Sequence, residues 1–537
     1  MADGSRSSSA EKTPAWVRVA LPSVTDLIFV ALLGMLVFTP LSVRLLGDAG
    51  IGWHIRTGQQ ILVTHSIPRG DSFSSTMTGK PWFAWEWLYD LVVGQLEASL
   101  GLNGVVWLTA VTIAAVFAWM FRLLMVRGAN IFVALVLVLL ALSASSIHFL
   151  ARPHVLSWLF TLAWFWIHDS SERAVFIGPV SGKTPEKLRR MWLLPLLMLV
   201  WVNVHGGFLV GFVLLGAFFL AAGWSWLRVE EGSLQEVLQK NAATTSLKTL
   251  SAVGLLSVAA SLVNPFGWKL YGHIYSYLSN RFLMDHVEEF QSPNFHGVAQ
   301  KCFLALLLIT VGVLASKGRE LRLSEGLTVL FTVYAGLYAS RNIPVSSILL
   351  VMIVAPMVPA KLGQGFLQRM FAVEAGQRGH VWPVLAIVLT LLITLNGGRV
   401  GSNQLMDAHF GSKRMPVDAV NYLAQHDVQG PVLSPDYWGG YLIYRLYPKE
   451  KVVVDDRHDL YGEEFFKSYL KMMYGERGWD EFLRTHDASC ALLPRDAALA
   501  SLLATTQGWK LIYSDNVAVV FVRDLTNRDG SGVREAH

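Results

Sequence analysis

The sequence predicts a polytopic α-helical membrane protein, with about eleven spanning helices and a small C-terminal α/β domain outside the cytoplasm. Three observations predict it. Of 537 residues, 53% are hydrophobic and only 15% charged, against about 25% charged in soluble domains; mean hydropathy is +0.43. Apolar runs of spanning length recur from residue 24 to residue 395. After residue 396 the apolar excess falls, and short β-like runs alternate with helical ones. The same composition excludes other classes. With 12% aromatics the chain cannot stay solvated and disordered. The net charge of +5 reads as cytoplasmic Lys and Arg fixing topology, not as a nucleic-acid surface. Two cysteines, Cys302 and Cys490, leave no disulfide scaffold and no Cys-based metal site.

In chain order, residues 1–22 are polar, rich in Ser and Lys/Arg, and read as a loose cytoplasmic tail. The first apolar run is long enough to span, so it reads as a retained anchor. Candidate spans lie at 24–43, 102–123, 131–149, 155–168, 191–204, 208–226, 250–263, 302–316, 327–339, 345–359 and 382–395. With the tail in the cytoplasm, the inner loops collect the basic residues: Arg122 and Arg127; Lys183, Lys187, Arg189 and Arg190; Arg228, Lys240 and Lys248; Lys317, Arg319 and Arg322; Lys361, Arg369 and Arg378. An odd number of spans places everything after residue 396 outside. The membrane module thus covers 23–397, with a long first outer loop at 44–101 carrying Trp53, Trp82, Trp85 and Trp87. Within it, 51–62 and 86–100 read as amphipathic helices lying on the bilayer, the second leading into the second span. The α/β domain covers 398–523, with β-like runs at 431–434, 451–454, 491–493 and 517–522 and helices at 417–425, 463–474 and 497–505. Residues 524–537 read as disordered.

The polar residues that look out of place fall at outer helix ends: Gly47-Asp-Ala-Gly-Ile-Gly-Trp-His54, Trp85-Glu86-Trp87, Ala151-Arg-Pro-His154, Asn203-Val-His-Gly-Gly207, Asn264-Pro-Phe-Gly267, Glu288-Glu-Phe-Gln-Ser-Pro293, Ser340-Arg-Asn342 and Asp455-Asp-Arg-His-Asp459. Ionisable groups near a bilayer are costly and tend to be functional. Their gathering suggests one outward cleft. Asp48 could act as a general base toward an acceptor hydroxyl, with Glu86 as a second acid. Arg152 and Arg341 could clamp a phosphate, with His154 or His205 donating a hydrogen bond, and His54 joins the candidate substrate-binding residues. Glu289, Asp455, Asp456 and Arg457 complete the candidate substrate-binding set. Plainer readings stay open: Asp48 and Glu289 as solvated loop acids, the arginines as snorkelling cations, the histidines as helix-end hydrogen bonders. A divalent cation, Mg or Mn, could be shared by Asp48, Glu86 and Asp455, although no spacing demands one. Walker A, dinucleotide and zinc-protease motifs are absent from the sequence.

These segments resemble the GT-C glycosyltransferases, membrane-embedded enzymes that take a sugar from a polyprenyl-phosphate carrier. The resemblance lies in the acid after the first span (Asp48), the long first outer loop, about eleven spans and the extracytoplasmic α/β tail. A bacterial branch is more similar still. It bears an Asp-to-Trp-His-x-x-Thr-Gly segment (48–58), Pro-Arg-x-Asp-x-Phe-Ser (68–74), Glu-Trp-Leu (86–88), Ala-Arg-Pro-His (151–154), Asn-x-His-Gly-Gly (203–207), Asn-Pro-x-Gly (264–267) and Asp-x-Arg-x-Asp-Leu-Tyr (455–461). One departure stands out. Many GT-C enzymes carry two adjacent acids or Asp-x-Asp in the first loop, whereas Asp48 is alone and the next acid is Asp71.

The resemblance implies a multi-pass protein of the bacterial plasma (inner) membrane, N-terminus cytoplasmic. It implies inverting transfer from a polyprenyl-phosphate-linked sugar to a glycan, lipid or protein acceptor, among membrane lipids and without nucleic acid. The carrier phosphate would meet Arg152 or Arg341, and Tyr437, Trp438, Asp455 and Arg457 would shape the acceptor side. Two other classes compete. A lipid or glycan transporter would place its ionisable residues at the bilayer midplane; a non-catalytic envelope-assembly protein would bind a polymer through the tail.

Overall fold

The computed structural model describes residues 19–176, 186–229, 232–358, 374, 380–426, 428 and 430–523. The predicted tails at 1–18 and 524–537, and Lys183, Lys361, Arg369 and Arg378, lie outside the described residues.

The chain is mostly helical, and each of the eleven predicted spans carries helix. The helices used below are α1 (Val24–Phe38), α2 (Ile51–Thr64), α3 (Trp87–Val126), α4 (Ile131–Ser145), α5 (His154–Phe176), α6 (Leu194–Val202), α7 (Leu209–Arg228), α8 (Leu234–Ser261), α9 (Val298–Lys317), α10 (Leu323–Tyr338), α11 (Ile343–Val354) and α12 (Val381–Leu395). Local sequence sets several of their starts. Ser23 and Asp26 form a reciprocal capping box on α1, Ser233 and Glu236 another on α8, and Asn130 caps α4. Gly101, at φ 63°, breaks α3 into a first-loop helix and a longer apolar helix.

By length and apolarity, six helices among the described residues can cross a membrane: Trp87–Val126, Ile131–His148, Gly206–Arg228, Glu236–Ser261, Val298–Glu320 and Ser340–Met357. Val24–Phe38 and Val381–Leu395 are apolar but shorter. Helix α11, on which α4, α9 and α10 all pack, is almost wholly buried and forms the bundle's centre. Helices α9 and α12 turn Leu308, Val311, Val388 and Leu392 outward, as lipid-facing positions require.

Helix α2 departs from the sequence reading. It does not lie on a surface: Ile51, Gly52, Trp53, His54, Ile55, Thr57, Gly58 and Ile61 are all buried. Glycines explain the fit. A Cβ on Gly58 would stand 1.8 Å from the Asp90 carbonyl oxygen, and one on Gly52 2.1 Å from that of Gly440. One face is therefore pressed on α3 and the other on the C-terminal domain. Gly58→Ala sets a methyl against rigid backbone and is expected to cost about 3 kcal/mol or more. The check is a thermal unfolding midpoint in detergent, and an unchanged midpoint would contradict this packing.

The C-terminal region starts with a short ribbon, β1 (Arg399–Val400) on β2 (Asn403–Gln404), and continues through α13 (Val417–Gln425), β3 (Val432–Leu433), α14 (Asp436–Leu446), α15 (His458–Met473), α16 (Trp479–Thr485), β4 (Cys490–Pro494), α17 (Ala498–Thr505), β5 (Trp509–Ser514) and β6 (Ala518–Arg523). The sheet order is β3-β4-β6-β5, with β3 parallel to β4 and the other pairs antiparallel. Residues 451–454, expected as a strand, form only isolated bridges: Val452 pairs with Val432 of β3 on one side and with Ser74 of the first loop on the other. Val452 N–H donates to the Phe73 carbonyl at 3.2 Å, and Ser75 N–H to the Val452 carbonyl at 2.9 Å. The first loop thus adds a strip to the domain's sheet.

The expectation that out-of-place charge gathers at one end is too simple. At the opposite end of the bundle Asp169, Glu172 and Glu325 meet Arg127, Arg173 and Arg322 in a buried network. Those charges are paired with one another, and the void beside them measures about 10 Å³. They hold α3, α5 and α10 together.

A chamber between the first loop and the C-terminal domain

At the other end lies a chamber of about 840 Å³. Asp48 comes from the turn into α2 and Trp53 from its first turn, Glu86 from the head of α3, Arg152 from the turn into α5, Glu289 and Arg341 from the connections flanking α9 and α10, and Trp438 and Asp456 from the C-terminal domain.

Of the sequence candidates, Asp48, Glu86, Arg152, Glu289, Arg341, Asp456 and Arg457 line the chamber. His54, His154, His205 and Asp455 stand behind its wall. Asp455 is fully buried. It accepts from Arg457 Nε at 2.8 Å and Nη2 at 2.6 Å, and from the Tyr461 hydroxyl at 2.9 Å. It is therefore unable to share an ion with Asp48 and Glu86. Arg457 also donates to Asp71 at 2.7 Å and lies over the Trp82 ring at 4.6 Å. Burial works against its charge, but Asp455 and Asp71 hold its pKa well above the usual arginine value. Asp71 is held below the usual carboxylate range: burial acts upward, and Arg457 and Ser74 outweigh it. His154 gives its Nε2 to the His148 carbonyl at 2.9 Å, a helix-end role.

Asp48 closes the turn into α2, accepting the Gly50 N–H on Oδ1 at 2.8 Å, where a helix start favours an anion. Arg152 Nη1 reaches Asp48 Oδ1 at 3.4 Å and Asp456 Oδ2 at 3.0 Å. The Trp53 indole N–H donates to Asp456 Oδ1 at 3.0 Å. Burial raises the Asp456 carboxyl to about 6 against the pull of Arg152. Burial also raises Glu289, but Arg341 at 3.3 Å, with His148 and Arg152, outweighs it and holds that carboxyl at about 2.

Glu86 sits between two imidazoles, with His54 Nε2 and His205 Nε2 each 3.8 Å from one of its oxygens. The Gly207 N–H donates to His205 Nδ1 at 3.0 Å, and Ser157 lies 2.8 Å from the same nitrogen. That assigns the His205 proton to Nε2, facing Glu86. Burial lowers His205 to about 3, so the ring is neutral at pH 7. His54 is also kept neutral, by burial and then by Arg152; its Nδ1 lies 2.5 Å from Asp90. Burial pushes Glu86 itself up to about 7.

That position has a stability consequence. The charged form of Glu86 is penalised in the fold, so the protonated form's advantage is complete below its ordinary value of 4.5 and lost as pH rises through about 7. Above about pH 8 the loss amounts to about 3 kcal/mol. Glu86→Gln is therefore expected to match the wild type at pH 4.5 and exceed it by that amount at about pH 8.5. Coincident unfolding midpoints across this range would contradict it.

Sequence reasoning missed Asp90, which looks like an ordinary residue of an amphipathic helix and whose side chain, among the described residues, is hydrogen-bonded only by His54. It also missed Arg414, a cation on the chamber wall with no ion pair among the described residues, in a loop without pattern.

No protein-family model matches the sequence, and no curated protein matches it. Among solved structures the chain is similar to the Archaeoglobus fulgidus oligosaccharyltransferase in its apo form, with a TM-score of 0.54 at 11% identity over 94% of this chain and 74% of that one. The same protein solved with Zn and sulfate gives 0.50 at 10% identity, over 93% and 73%. At such identity the likeness is one of fold. This chain shares the fold of that oligosaccharyltransferase.

Proposed function

We propose that the protein is a membrane glycosyltransferase that moves a sugar from a polyprenyl-phosphate donor to an envelope acceptor on the extracytoplasmic face, with inversion. One observation carries the reading: carboxylates and guanidinium groups from seven separate stretches of chain converge on one chamber at the end of an apolar bundle. Asp48 is the base for the acceptor hydroxyl. Its Oδ1 is held by Gly50 and Arg152, and its Oδ2 accepts no hydrogen bond among the described residues. Arg152, Arg341 and Arg414 stabilise the charge that develops on the departing phosphate. Trp438 and Tyr437 shape the acceptor side. The GT-C fold supports this reading, and the ionisable side chains at the chamber stand at helix ends, which disfavours a transporter.

The test uses purified protein in detergent, a polyprenyl-phosphate-linked labelled hexose and an envelope extract as acceptor source. Label passing to the extract with release of polyprenyl phosphate is the expected result. A donor left intact in the presence of folded protein, with polyprenyl-diphosphate glycans equally untouched, would overturn the reading.

A further inference from the structure

The neighbouring structure solved with Zn and sulfate raises the question of whether this chamber is built for a divalent ion. The donor set does not fit one. Among the described residues no three His, Cys, Asp or Glu side chains are grouped to hold a metal. Asp455 is consumed by Arg457 and Tyr461, and Glu86 faces two imidazoles. The two chamber carboxylates that share a neighbour, Asp48 and Asp456, already have the Arg152 cation between them.

We infer that Arg152 is the resident cation of this site, its guanidinium standing between Asp48 and Asp456 in place of a dissociable metal ion. Four observations fix it there. Its Nη1 touches both acids, at 3.4 and 3.0 Å. It lies over the Trp53 ring at 5.9 Å, and the Trp53 indole orients Asp456 from the other side. Gly50 makes the room: a Cβ there would fall 1.5 Å from Nη1 and 2.4 Å from Asp456 Oδ2. Finally, only Nη1 of the guanidinium is engaged with protein. Nε and Nη2 donate to no acceptor among the described residues and are free for an anion in the chamber. A guanidinium has five N–H donors in a fixed fork, so one amino group can neutralise the acids while the others meet a phosphate. A divalent ion could not be added without gathering three positive charges on two carboxylates.

The inference deepens the transferase reading but is tested by metal binding, so the two can fail separately. The probe is Mn²⁺, followed by electron paramagnetic resonance on the full-length protein in detergent. Wild type is expected to bind no Mn²⁺ at the chamber. Arg152→Met frees both carboxylates and is expected to acquire one site per chain, at least ~10-fold tighter than any wild-type binding. The double variant Arg152→Met, Asp456→Asn is expected to lose that site. Arg152→Lys, which keeps a cation in place, is expected to resemble wild type. A stoichiometric wild-type Mn²⁺ site abolished by Asp456→Asn would overturn the inference even if Arg152→Met does not fold. A folded Arg152→Met that gains no affinity would overturn it as well.

Discussion

Asp48→Asn is expected to lower sugar transfer by about 10²–10⁴-fold while leaving the fold intact, the range that loss of a positioned base produces. Asparagine has nearly the same shape and can still accept the Gly50 N–H that closes the turn into α2. What it lacks is a basic oxygen toward the chamber. The pair with Arg152 is partly solvated, at 31% exposure for Asp48, so its weakening is worth under about 1 kcal/mol in stability. The measurement is initial rate at saturating donor, alongside an unfolding midpoint. Full transfer by Asp48→Asn would remove the base assignment and leave Glu86, which gains and loses its proton near pH 7, as the group to test next.

Arg457→Met is expected to cost about 3–5 kcal/mol, because it strands two buried carboxylates rather than one exposed contact. Asp455 and Asp71 both depend on that guanidinium, at 2.6 and 2.7 Å, and neither has water to turn to, since all three side chains are buried. The Trp82 and Phe73 rings that flank the guanidinium lose their partner as well. The midpoint in denaturant should fall, and limited proteolysis should begin at the seam between the first loop and the C-terminal domain. Adding Asp455→Asn should restore part of the loss by removing one of the stranded charges. A change below about 1 kcal/mol would mean that this cluster braces nothing.

How far the sequence could be read follows physical lines. Apolar runs of bilayer length are strong signals, and all eleven segments are helical. Spanning length is weaker where a run is short, as at Leu194–Val202, or ends in charge, as at Asp169 and Glu172 in α5. In the tail, Val417–Gln425 matches the predicted bounds because its apolar stripe is regular. Asp436–Leu446 was illegible as helix because Gly439-Gly440 lowers local propensity; those glycines exist for close approach to the Ala49–Gly50 and Val454–Asp455 backbones. At the chamber, Asp48, Glu86, Arg152 and Asp456 were findable because charge beside apolar runs is conspicuous. The demotion of Asp455 was not, since neighbours in sequence such as Asp455 and Asp456 point to opposite sides of a turn, and only the fold decides which one meets Arg152. The clamping of α2 on both faces was hidden because a buried amphipathic helix and a surface-lying one share the same periodicity.

The bridge from Ser74 through Val452 to Val432 means that the C-terminal portion borrows its outermost strip from the opposite end of the sequence. Produced alone, residues 398–523 would bare that seam as an unsatisfied border, and such borders recruit other chains. A fragment of this kind should self-associate, and supplying a synthetic peptide of residues 68–78 should quiet it.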